Sequence, residues 1–363
     1  MCLTECKPVT VLFIKDNKMN NDNKKLITFV IPCYNSAGYM RKCIDSCLNA
    51  ADEKGDVEII VVDDGSTLDN TYEIALEYEK EHPDVVKAVH KENGGHGSAV
   101  NIGIKLARGT FLKVVDSDDW LDKPALKIVM DDLRSFKKKK PDIYITNFVY
   151  ENQTKYHKKR VHFENVFPLR KFFKWDDIGV FLVDQYLLMH SVVYKTSILH
   201  KCGLVLPEKI FYVDNIFVFD PLPYVKTLYY NNVNFYRYFI GRDDQSIKEE
   251  TMIRRIDQHI YIAKTMTQTL KNADIKSPKC EKYMMKYLTI MYQIASILLI
   301  VGGTPEHLEK KKLLWQYLKE TDFKRYVRMR YHPFGIILNM PGEPARKFLI
   351  KAYHGLGKYI GFN

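Results

Sequence analysis

Residues 111–120 have the sequence FLKVVDSDDW, in which an apolar, β-branched run ends in three carboxylates. A strand buried in a parallel sheet is typically a continuous apolar run, and ligands of open α/β sheets bind beyond the carboxyl ends of such strands. Asp116 and Asp118 are therefore predicted to lie at a ligand site. Adjacent carboxylates resist ionising together without a cation, and Mg²⁺ and Mn²⁺ prefer oxygen ligands. The stretch predicts a metal that carries a phosphorylated substrate; the alternative is that the acids only begin and cap the next helix.

The sequence around this stretch alternates strand and helix patterns. Repeated βαβ units of this kind predict a doubly wound, mostly parallel α/β sheet flanked by helices. The predicted strands are 26–31, 57–62, 85–89 and 110–115, and the predicted helices are 39–51, 70–80, 97–107 and 124–136. The alternating pattern of 142–166 predicts a strand, a hairpin and an exposed turn. Residues 228–239 predict another hairpin that turns at Asn231-Asn232.

The two ends of the chain differ from this α/β pattern. Residues 1–25 are polar and are predicted to be an N-terminal extension outside the fold. They lack the order of regions that a secretory signal needs, so export is not predicted. Residues 247–363 have long helical patterns and are predicted to form a C-terminal helical region. The apolar run 287–301 is shorter than the roughly 20 residues of a membrane span, which favours a buried helix.

Charge and cysteine content narrow the class of protein. The formal net charge of +11 predicts an anionic partner, which could be nucleic acid, an anionic membrane surface or a phosphorylated substrate. The seven cysteines include no C-x-x-C pair, and their odd number argues against a disulfide framework or a zinc site. This usage favours a reducing, cytoplasmic location.

Three further polar stretches follow the other predicted strands. They are PCYNS at 32–36, DDGS at 63–66 and NGGHGS at 93–98. Because the carboxyl ends of neighbouring parallel strands share one edge, all three should lie close to Asp116 and Asp118. Each stretch alone is weak, since Asp-Asp-Gly-Ser is commonly a turn with a cap and a Gly-rich loop is as often a tight turn as a phosphate site.

Together these stretches resemble family 2 glycosyltransferases, which have the GT-A fold. The segments that carry the resemblance are FVIPCYN (29–35), IIVVDDGST (59–67), ENGGHGSAVNIGIKLARG (92–109) and KVVDSDDWLDKP (113–124). The resemblance implies inverting transfer of a hexosyl or N-acetylhexosaminyl group from a nucleotide-sugar, usually a UDP-sugar, with Mn²⁺ or Mg²⁺. It implies that residues 26–136 bind the donor and that residues 137–246 bind the acceptor. The acceptor group would be a hydroxyl of a glycan, a lipid-linked substrate or a cell-surface polysaccharide.

The resemblance also implies roles for individual residues. Asp64 would contact the nucleobase, Asp116 the ribose and the metal, and Asp118 the metal. Asp214, in the stretch EKIFYVDN at 208–215, fits the general base, although Val213 stands where the family usually has Glu. The other donor-binding residues that the resemblance implies are Pro32, Tyr34, Asn35, Asn93, Gly94, Gly97, Ser98, Arg237, Arg242 and Ser246.

Several alternatives stay open from the residues themselves. Asp184 and Asp220 are alternative acids for the base, and His96 and His190 are interpreted as structural histidines. A nucleotidyltransferase or sugar pyrophosphorylase would use similar acids but needs a Gly- and basic-rich signature near the first strand, where the sequence is Pro-Cys-Tyr-Asn. A non-catalytic basic scaffold that binds membrane or nucleic acid would explain the charge without the carboxylates.

The C-terminal residues bear on location. Basic and apolar residues alternate through 346–358, which predicts a helix lying on an anionic membrane surface or, alternatively, a core helix with a solvated basic face. A cytoplasmic enzyme held peripherally on the inner face of the cell membrane, without a nucleic-acid partner, is the resulting expectation.

Overall fold

The computed structural model of the chain describes residues 25–52, 54–137, 139–152, 159–183, 185–240 and 248–360. Within these ranges the strands are β1 Lys25–Cys33, β2 Val57–Asp63, β3 Val86–His90, β4 Gly109–Val114, β5 Trp120–Leu121, β6 Ile143–Asn152, β7 Lys159–Val161, β8 Phe172–Phe173, β9 Val192–Lys195 and β10 Leu228–Ile240. The helices are α1 Met40–Leu48, α2 Thr71–Glu81, α3 His96–Leu106, α4 Lys123–Ser135, α5 Thr196–Lys201, α6 Asp214–Phe219, α7 Glu249–Arg254, α8 Ile256–Asn272, α9 Pro278–Gly302, α10 Pro305–Thr321, α11 Phe323–Arg330, α12 Pro333–Leu338 and α13 Glu343–Ile360.

The described strands form one mixed sheet in the order β3-β2-β1-β4-β9-β6-β10-β5, with β7 beside β6 and β8 beside β10. The first four strands are parallel, β9 is antiparallel to both β4 and β6, and β6 is parallel to β10. The chain runs outward from β1 to β3 and then returns to the other side of β1 at β4. This reversal is a topological switch point, where ligands of open α/β sheets bind. The predicted α/β class is confirmed.

The elements predicted from residues 26–136 all occur, and their ends differ from the prediction by at most three residues. β1 begins one residue early, at Lys25, which was assigned to the N-terminal extension. The Lys25 ammonium donates to the carbonyl oxygens of Gly55 and Asp84 at 2.6 and 3.2 Å, which holds it in the fold. The remainder of that extension lies outside the described residues.

The second half of the sheet differs from the prediction at one strand. The hairpin predicted from 142–166 is present as β6 and β7, but the hairpin predicted at 228–239 is wrong, because β10 runs straight through it beside β6. Asn231 donates to Asp132 Oδ2 at 2.6 Å, and Asn232 Oδ1 accepts from Asn147 at 2.6 Å. Both side chains thus bond to neighbouring elements instead of closing a turn. The pairing register between β10 and β6 shifts at Asn234, as in a β-bulge.

Helices cover both faces of the sheet. Buried side chains of α1, α2 and α4 pack on one face, and those of α3, α5, α6, α8 and α9 pack on the other. Helix α9 is long and apolar enough to cross a membrane by length and composition, but most of that segment is buried. Tyr287 and Tyr292, for example, are fully buried in the core that α9 shares with α3. The C-terminal helices are therefore part of the same packed body as this face of the sheet.

Gly103 sets how closely α3 approaches β1, and we predict that a side chain here destabilises the protein. A Cβ at this position would lie 2.1 Å from Val30 Cγ1, and Val30 is fully buried. Gly103→Ala should therefore lower the free energy of unfolding by ~1–3 kcal/mol through overpacking, measured by urea denaturation. Gly355→Ala in α13 is the matched control, because a Cβ there has open space and should change stability by at most ~1 kcal/mol, in the favourable direction. Equal effects of the two substitutions would contradict the packing argument.

Candidate active site

The segments that follow β1, β2 and β4 meet at the carboxyl edge of the sheet, as predicted. Ser36 Oγ lies 2.9 Å from Ser117 Oγ, which joins the segment after β1 to the one after β4. The Asn35 backbone N–H donates to Ser66 Oγ at 2.8 Å, which joins it to the segment after β2. Short polar contacts thus hold three chain segments at the switch point.

Residues 32–35 place one side chain at this edge for a ligand. Asn35 has a left-handed backbone with φ of 48°, and its Oδ1 accepts from the backbone N–H groups of Thr67 and Leu68 at 3.1 Å each. The neighbouring Tyr34 ring is about half exposed. Pro32 is buried inside β1 beside Val62. Tyr34 is therefore available to stack on a ligand, whereas Asn35 and Pro32 shape the backbone around it.

Asp64 organises the Gly-rich loop. Its carboxylate is buried and accepts from the backbone N–H groups of Gly94 and Gly95 at 2.9 and 2.7 Å and from Lys91 Nζ at 2.7 Å. Ionised Asp has about four lone-pair sites, and these three bonds occupy most of them. The predicted nucleobase contact is thus an acid that already fixes the loop after β3.

That loop packs against the segment that leads to α6. The Lys209 backbone N–H donates to the Gly94 carbonyl at 2.6 Å, and Ser98 Oγ donates to Glu208 Oε1 at 2.8 Å. A Cβ at Gly97 would lie 2.7 Å from the Pro207 carbonyl oxygen. Four of the predicted donor-binding residues, Asn93, Gly94, Gly97 and Ser98, therefore lie where residues 206–209 meet the loop.

Asp116 lies between two histidines. His96 Nε2, at the start of α3, is 2.8 Å from Asp116 Oδ1, and His190 Nε2 is 3.6 Å from Asp116 Oδ2. Burial by itself would raise the pKa of Asp116, but hydrogen bonds from His190 and His96 hold it below its ordinary range. Burial would likewise lower the pKa of His96, and the hydrogen bond to Asp116 raises it instead. Asp116 is thus kept ionised between imidazoles.

The third acid of the motif faces the other half of the sheet. Asp119 is buried and accepts from Tyr236 Oη at 2.5 Å and from the Phe239 backbone N–H at 2.7 Å. The Asp116 backbone N–H in turn donates to Tyr236 Oη at 3.1 Å. Burial, followed by the charges of Asp118 and Asp116, raises the pKa of Asp119. Asp119 therefore anchors β10 against the end of β4.

Lys113 supports this arrangement from inside the sheet. Its side chain is fully buried, and Nζ donates to the carbonyls of Met189, His190 and Val192 at 2.7, 2.8 and 3.2 Å. Burial lowers the pKa of Lys113 to about 7, against the attraction of Asp116 and Asp119. The three carbonyls belong to the 3₁₀ turn Met189–Ser191 and its continuation into β9. Lys113 thereby fixes the turn that carries His190.

These side chains can accommodate a divalent metal. One ligand atom each from Asp116, Asp119 and His190 lie within 4.8 Å of one another. Carboxylate and imidazole ligands suit Mn²⁺, and carboxylates suit Mg²⁺. The donor set fits a metal, although its composition differs from the predicted pair Asp116 and Asp118. Burial raises the pKa of Asp119, and the charge of Asp118 raises it further. Burial would lower the pKa of His96, but neighbouring acids, Asp118 among them, raise it overall. Asp118 therefore lies close to both residues.

The predicted base lies near the same cluster. Asp214 is the first residue of α6 and accepts from the Asn215 amide at 3.2 Å, while Asn215 Oδ1 accepts from Tyr287 Oη of α9 at 3.0 Å. Burial raises the pKa of Asp214, and the charges of His190 and His96 oppose that shift. Val213, which replaces the family's usual Glu, is buried in the core. The pair Val213-Asp214 therefore has one acid where the family usually has two, and the charges of both histidines act on that acid.

The predicted cationic residues of the closing segment are placed differently. Arg237 is paired with Asp122 at 2.6 Å and with Glu151 at 3.0 Å, and only 17% of its side chain is exposed. It stabilises the junction of α4, β6 and β10 in this structure. Arg242, Ser246 and the alternative acid Asp184 lie outside the described residues.

Sequence reasoning missed the role of four residues of this site. His96 and His190 are interpreted there as structural but lie beside Asp116, and Lys113 and Tyr236 are given no role. A lysine within an otherwise apolar strand was a usable signal, because a buried ammonium needs several acceptors. His190 and Tyr236 gave none, since they are far from residue 116 in the chain.

Comparison with known proteins identifies the fold and matches part of the chain to a family. The structure superimposes on Staphylococcus aureus TarS 1–349 with a TM-score of 0.66 and 17% identity, covering 91% of each chain; the fold is thus of the GT-A class. The complex of TarS 1–349 with UDP-GlcNAc gives 0.64 over 91% of this chain and 92% of that one, also with 17% identity. Residues 28–198 match the family described as Glycosyl transferase family 2, in agreement with the resemblance found in the sequence.

Two curated relatives each match less than a third of the chain. Escherichia coli chondroitin synthase is 38% identical over 109 residues, which are 30% of this chain and 15% of that enzyme. The poly(ribitol-phosphate) beta-glucosyltransferase of Bacillus spizizenii is 43% identical over 101 residues, which are 28% of this chain and 16% of that enzyme. The matched segment of the chain thus covers only a small part of the length of either relative.

Asp220, the alternative base, gives a prediction about stability. It follows α6 and accepts from Thr269 Oγ1 of α8 at 2.9 Å, and burial raises its pKa to about 6. The pKa of Asp220 in the unfolded chain is near 3.9, so between pH ~4 and ~6 the folded protein keeps this carboxyl protonated while the unfolded chain loses the proton. Above pH ~6 the carboxyl is ionised in both states, and its buried charge destabilises the fold. Asp220→Asn should therefore raise the free energy of unfolding by ~1–3 kcal/mol at pH 7.

The same substitution should have little effect at pH 3.5, where the carboxyl is protonated in both states. Urea denaturation at the two pH values measures the difference. A gain that is the same at both values would show that the charge of Asp220 is not its cause.

Proposed function

We propose that the chain is an inverting glycosyltransferase that moves a sugar from a nucleotide-sugar to a hydroxyl of a glycan, lipid-linked or cell-surface polysaccharide acceptor. The observation that carries this proposal is the cluster of Asp116, His96 and His190 at the switch point, with Asp214 close enough to feel the charges of all three. A UDP-sugar is the proposed donor, supported by the fold shared with TarS 1–349, whose structures include UDP-GlcNAc and UDP complexes.

The donor is proposed to bind along the edges of β1, β2 and β4. The half-exposed Tyr34 ring can stack on the nucleobase, since aromatic faces pack on one another. Asp64 Oδ2 accepts one described hydrogen bond, from Gly95, and so has a lone pair for a base N–H. Asp116 is proposed to reach the ribose. Arg242 and Ser246 are proposed to reach the diphosphate, together with Arg237 if it exchanges Asp122 for phosphate.

Asp214 is proposed to remove the proton of the acceptor hydroxyl. Burial raises the pKa of its carboxyl, and a higher pKa makes a carboxylate a stronger proton acceptor. The hydroxyl oxygen would form its bond to the anomeric carbon on the face opposite the leaving diphosphate, which inverts that centre. The proton passes to Asp214, and the negative charge passes to the departing nucleoside diphosphate.

The departing charge needs cations. Asp116 with Asp118, or with His190 and Asp119, would hold Mn²⁺ or Mg²⁺, and such a metal supplies electrostatic stabilisation of the leaving diphosphate. Burial would lower the pKa of His96, but the hydrogen bond to Asp116 raises it. His96 therefore adds a partly protonated imidazole beside the proposed metal site. A cytoplasmic enzyme that is held peripherally at an anionic membrane completes the proposal, because lipid-linked acceptors are confined to that surface.

Metal-dependent release of UDP tests the function. We expect the protein to release UDP slowly from one member of a panel of UDP-sugars with Mn²⁺ or Mg²⁺, and to lose this activity in excess EDTA. Asp118→Asn should reduce turnover at least ~10-fold by removing a carboxylate near the metal, whereas Asp131→Asn on the exposed face of α4 is the matched control. Undiminished turnover in EDTA would contradict the metal. Neither UDP release nor thermal protection by any nucleotide-sugar would contradict the function.

Asp214→Asn separates proton acceptance from binding. The amide keeps the size of the side chain but cannot take a proton, so kcat should fall by ~10²–10⁴ while the Kd for UDP changes little. Initial rates of sugar transfer and calorimetric titration of UDP measure the two quantities. Asp220→Asn, which changes the other acid at α6, should keep transfer. Normal transfer by Asp214→Asn would assign the base to another residue.

A further inference from the structure

Exposed apolar side chains concentrate in one stretch of the C-terminal region. Of the 21 large hydrophobic residues that are exposed in the described part of the chain, eight lie within residues 323–348. We call them the C-terminal apolar surface: Phe323, Val327, Tyr331, Phe334, Ile336, Ile337, Met340 and Phe348. They belong to α11, α12, the loops that follow them, and the first turns of α13. An exposed apolar concentration of this kind marks an interaction site.

The same stretch is strongly basic. Residues 323–348 contain Lys324, Arg325, Arg328, Arg330, Arg346 and Lys347, against a single acid, Glu343. Arg325 is paired with Asp322 and Glu281, and Lys347 with Glu343. The rest of the stretch therefore carries a net positive charge among the exposed apolar side chains, and its partner should be anionic as well as apolar.

A cavity of about 830 Å³ opens beside this surface, between α9, α10, α11 and α13. Lys311, Arg330 and Arg346 converge on it, with Trp315 and Tyr326 on its walls. Lys311 donates to Asn339 Oδ1 at 3.0 Å, and burial together with the charges of Arg330 and Arg346 lowers its pKa to about 8. Three half-buried cations that repel one another would be stabilised by an anion, so the cavity is suited to one.

We propose that the C-terminal apolar surface docks on an anionic phospholipid membrane and that the cavity binds the phosphate of a lipid headgroup. Basic segments with exposed aromatic and aliphatic side chains lie in the interfacial layer of anionic membranes, and basic pockets bind lipid headgroups. Binding of a soluble polyanion would explain the cations but not the eight exposed apolar side chains. The inference deepens the proposed membrane contact and locates it mainly on α11 and α12, rather than on the predicted helix at 346–358.

Vesicle flotation with the full chain tests the surface. The protein should float with phosphatidylglycerol-containing vesicles at low salt, and should float much less at high salt or with phosphatidylcholine alone, because screening weakens the attraction. Tyr331→Ser/Phe334→Ser should weaken binding roughly 10-fold or more by removing apolar contacts. Leu76→Ser/Lys80→Ala on the exposed face of α2 is the matched control and should bind like the unchanged protein. No flotation with anionic vesicles at low salt would overturn the inference.

A second variant tests the cavity. Lys311→Ala/Arg346→Ala should weaken anionic-vesicle binding roughly 10- to 30-fold, as expected for two basic residues at a membrane surface. Thermal unfolding of each variant separates lost binding from lost folding, and only variants that unfold cooperatively near the temperature of the unchanged protein are compared. Wild-type binding by a folded cavity variant would overturn the headgroup site. Strong thermal protection by inorganic phosphate without flotation would overturn the lipid as its source.

The test is independent of the proposed transferase activity. Thermal protection by a UDP-sugar is measured on the same preparations and reports the donor site alone. A protein that binds the nucleotide-sugar but not anionic vesicles overturns only the membrane inference. A protein that binds the vesicles but no nucleotide-sugar supports the membrane surface and contradicts the proposed donor.

Discussion

The arrangement of the site depends on one buried ammonium group. Lys113 lies in β4, which ends two residues before Asp116, and it donates to three carbonyls of the segment that carries His190. The ammonium form of Lys113 has three N–H donors, whereas the neutral amine has two, so the charged form is the one that satisfies all three acceptors. A buried charge without partners costs several kcal/mol, and here the carbonyls, Asp116 and Asp119 offset part of that cost. The acids of the site therefore stabilise the lysine that positions the histidine beside them.

The acids of the D-x-D-D stretch have divided roles because the chain turns sharply between them. Asp116 faces the histidines at the open edge, whereas Asp119 faces inward to Tyr236 and Phe239 of β10. Tyr236 bonds both Asp119 and the Asp116 backbone, so β10 is fastened to the end of β4 beside the acids. The sequence motif shows three equivalent acids, and the fold turns one of them toward β10.

Residues 26–136 were predictable because their information is local. Apolar runs, capping acids and glycines repeat at short intervals there, and each of the four predicted strands pairs with a neighbour from the same stretch. Residues 137–246 depend on distant pairs, such as β10 with β6 and His190 with Asp116. Asn231-Asn232 taken alone predicts a turn, but in the fold Asp132 accepts from Asn231 and Asn147 donates to Asn232, and the strand continues. Periodicity cannot reveal partners that lie about a hundred residues away.

The Gly-rich loop shows how the two halves are coupled through the backbone. Asp64 holds Gly94 and Gly95, and the carbonyl of Gly94 in turn accepts from the Lys209 N–H, five residues before Asp214. Gly95 has φ of 86°, and a Cβ there would lie 3.0 Å from Lys209 N. Lys209 is itself left-handed, at φ 57°, a conformation that surrounding contacts must impose on a non-glycine residue. The glycine at position 95 is therefore accounted for by the close approach of the segment that carries the proposed base. The same few hydrogen bonds hold the loop and the segment that leads to Asp214, so a ligand that moved the loop would also move Asp214.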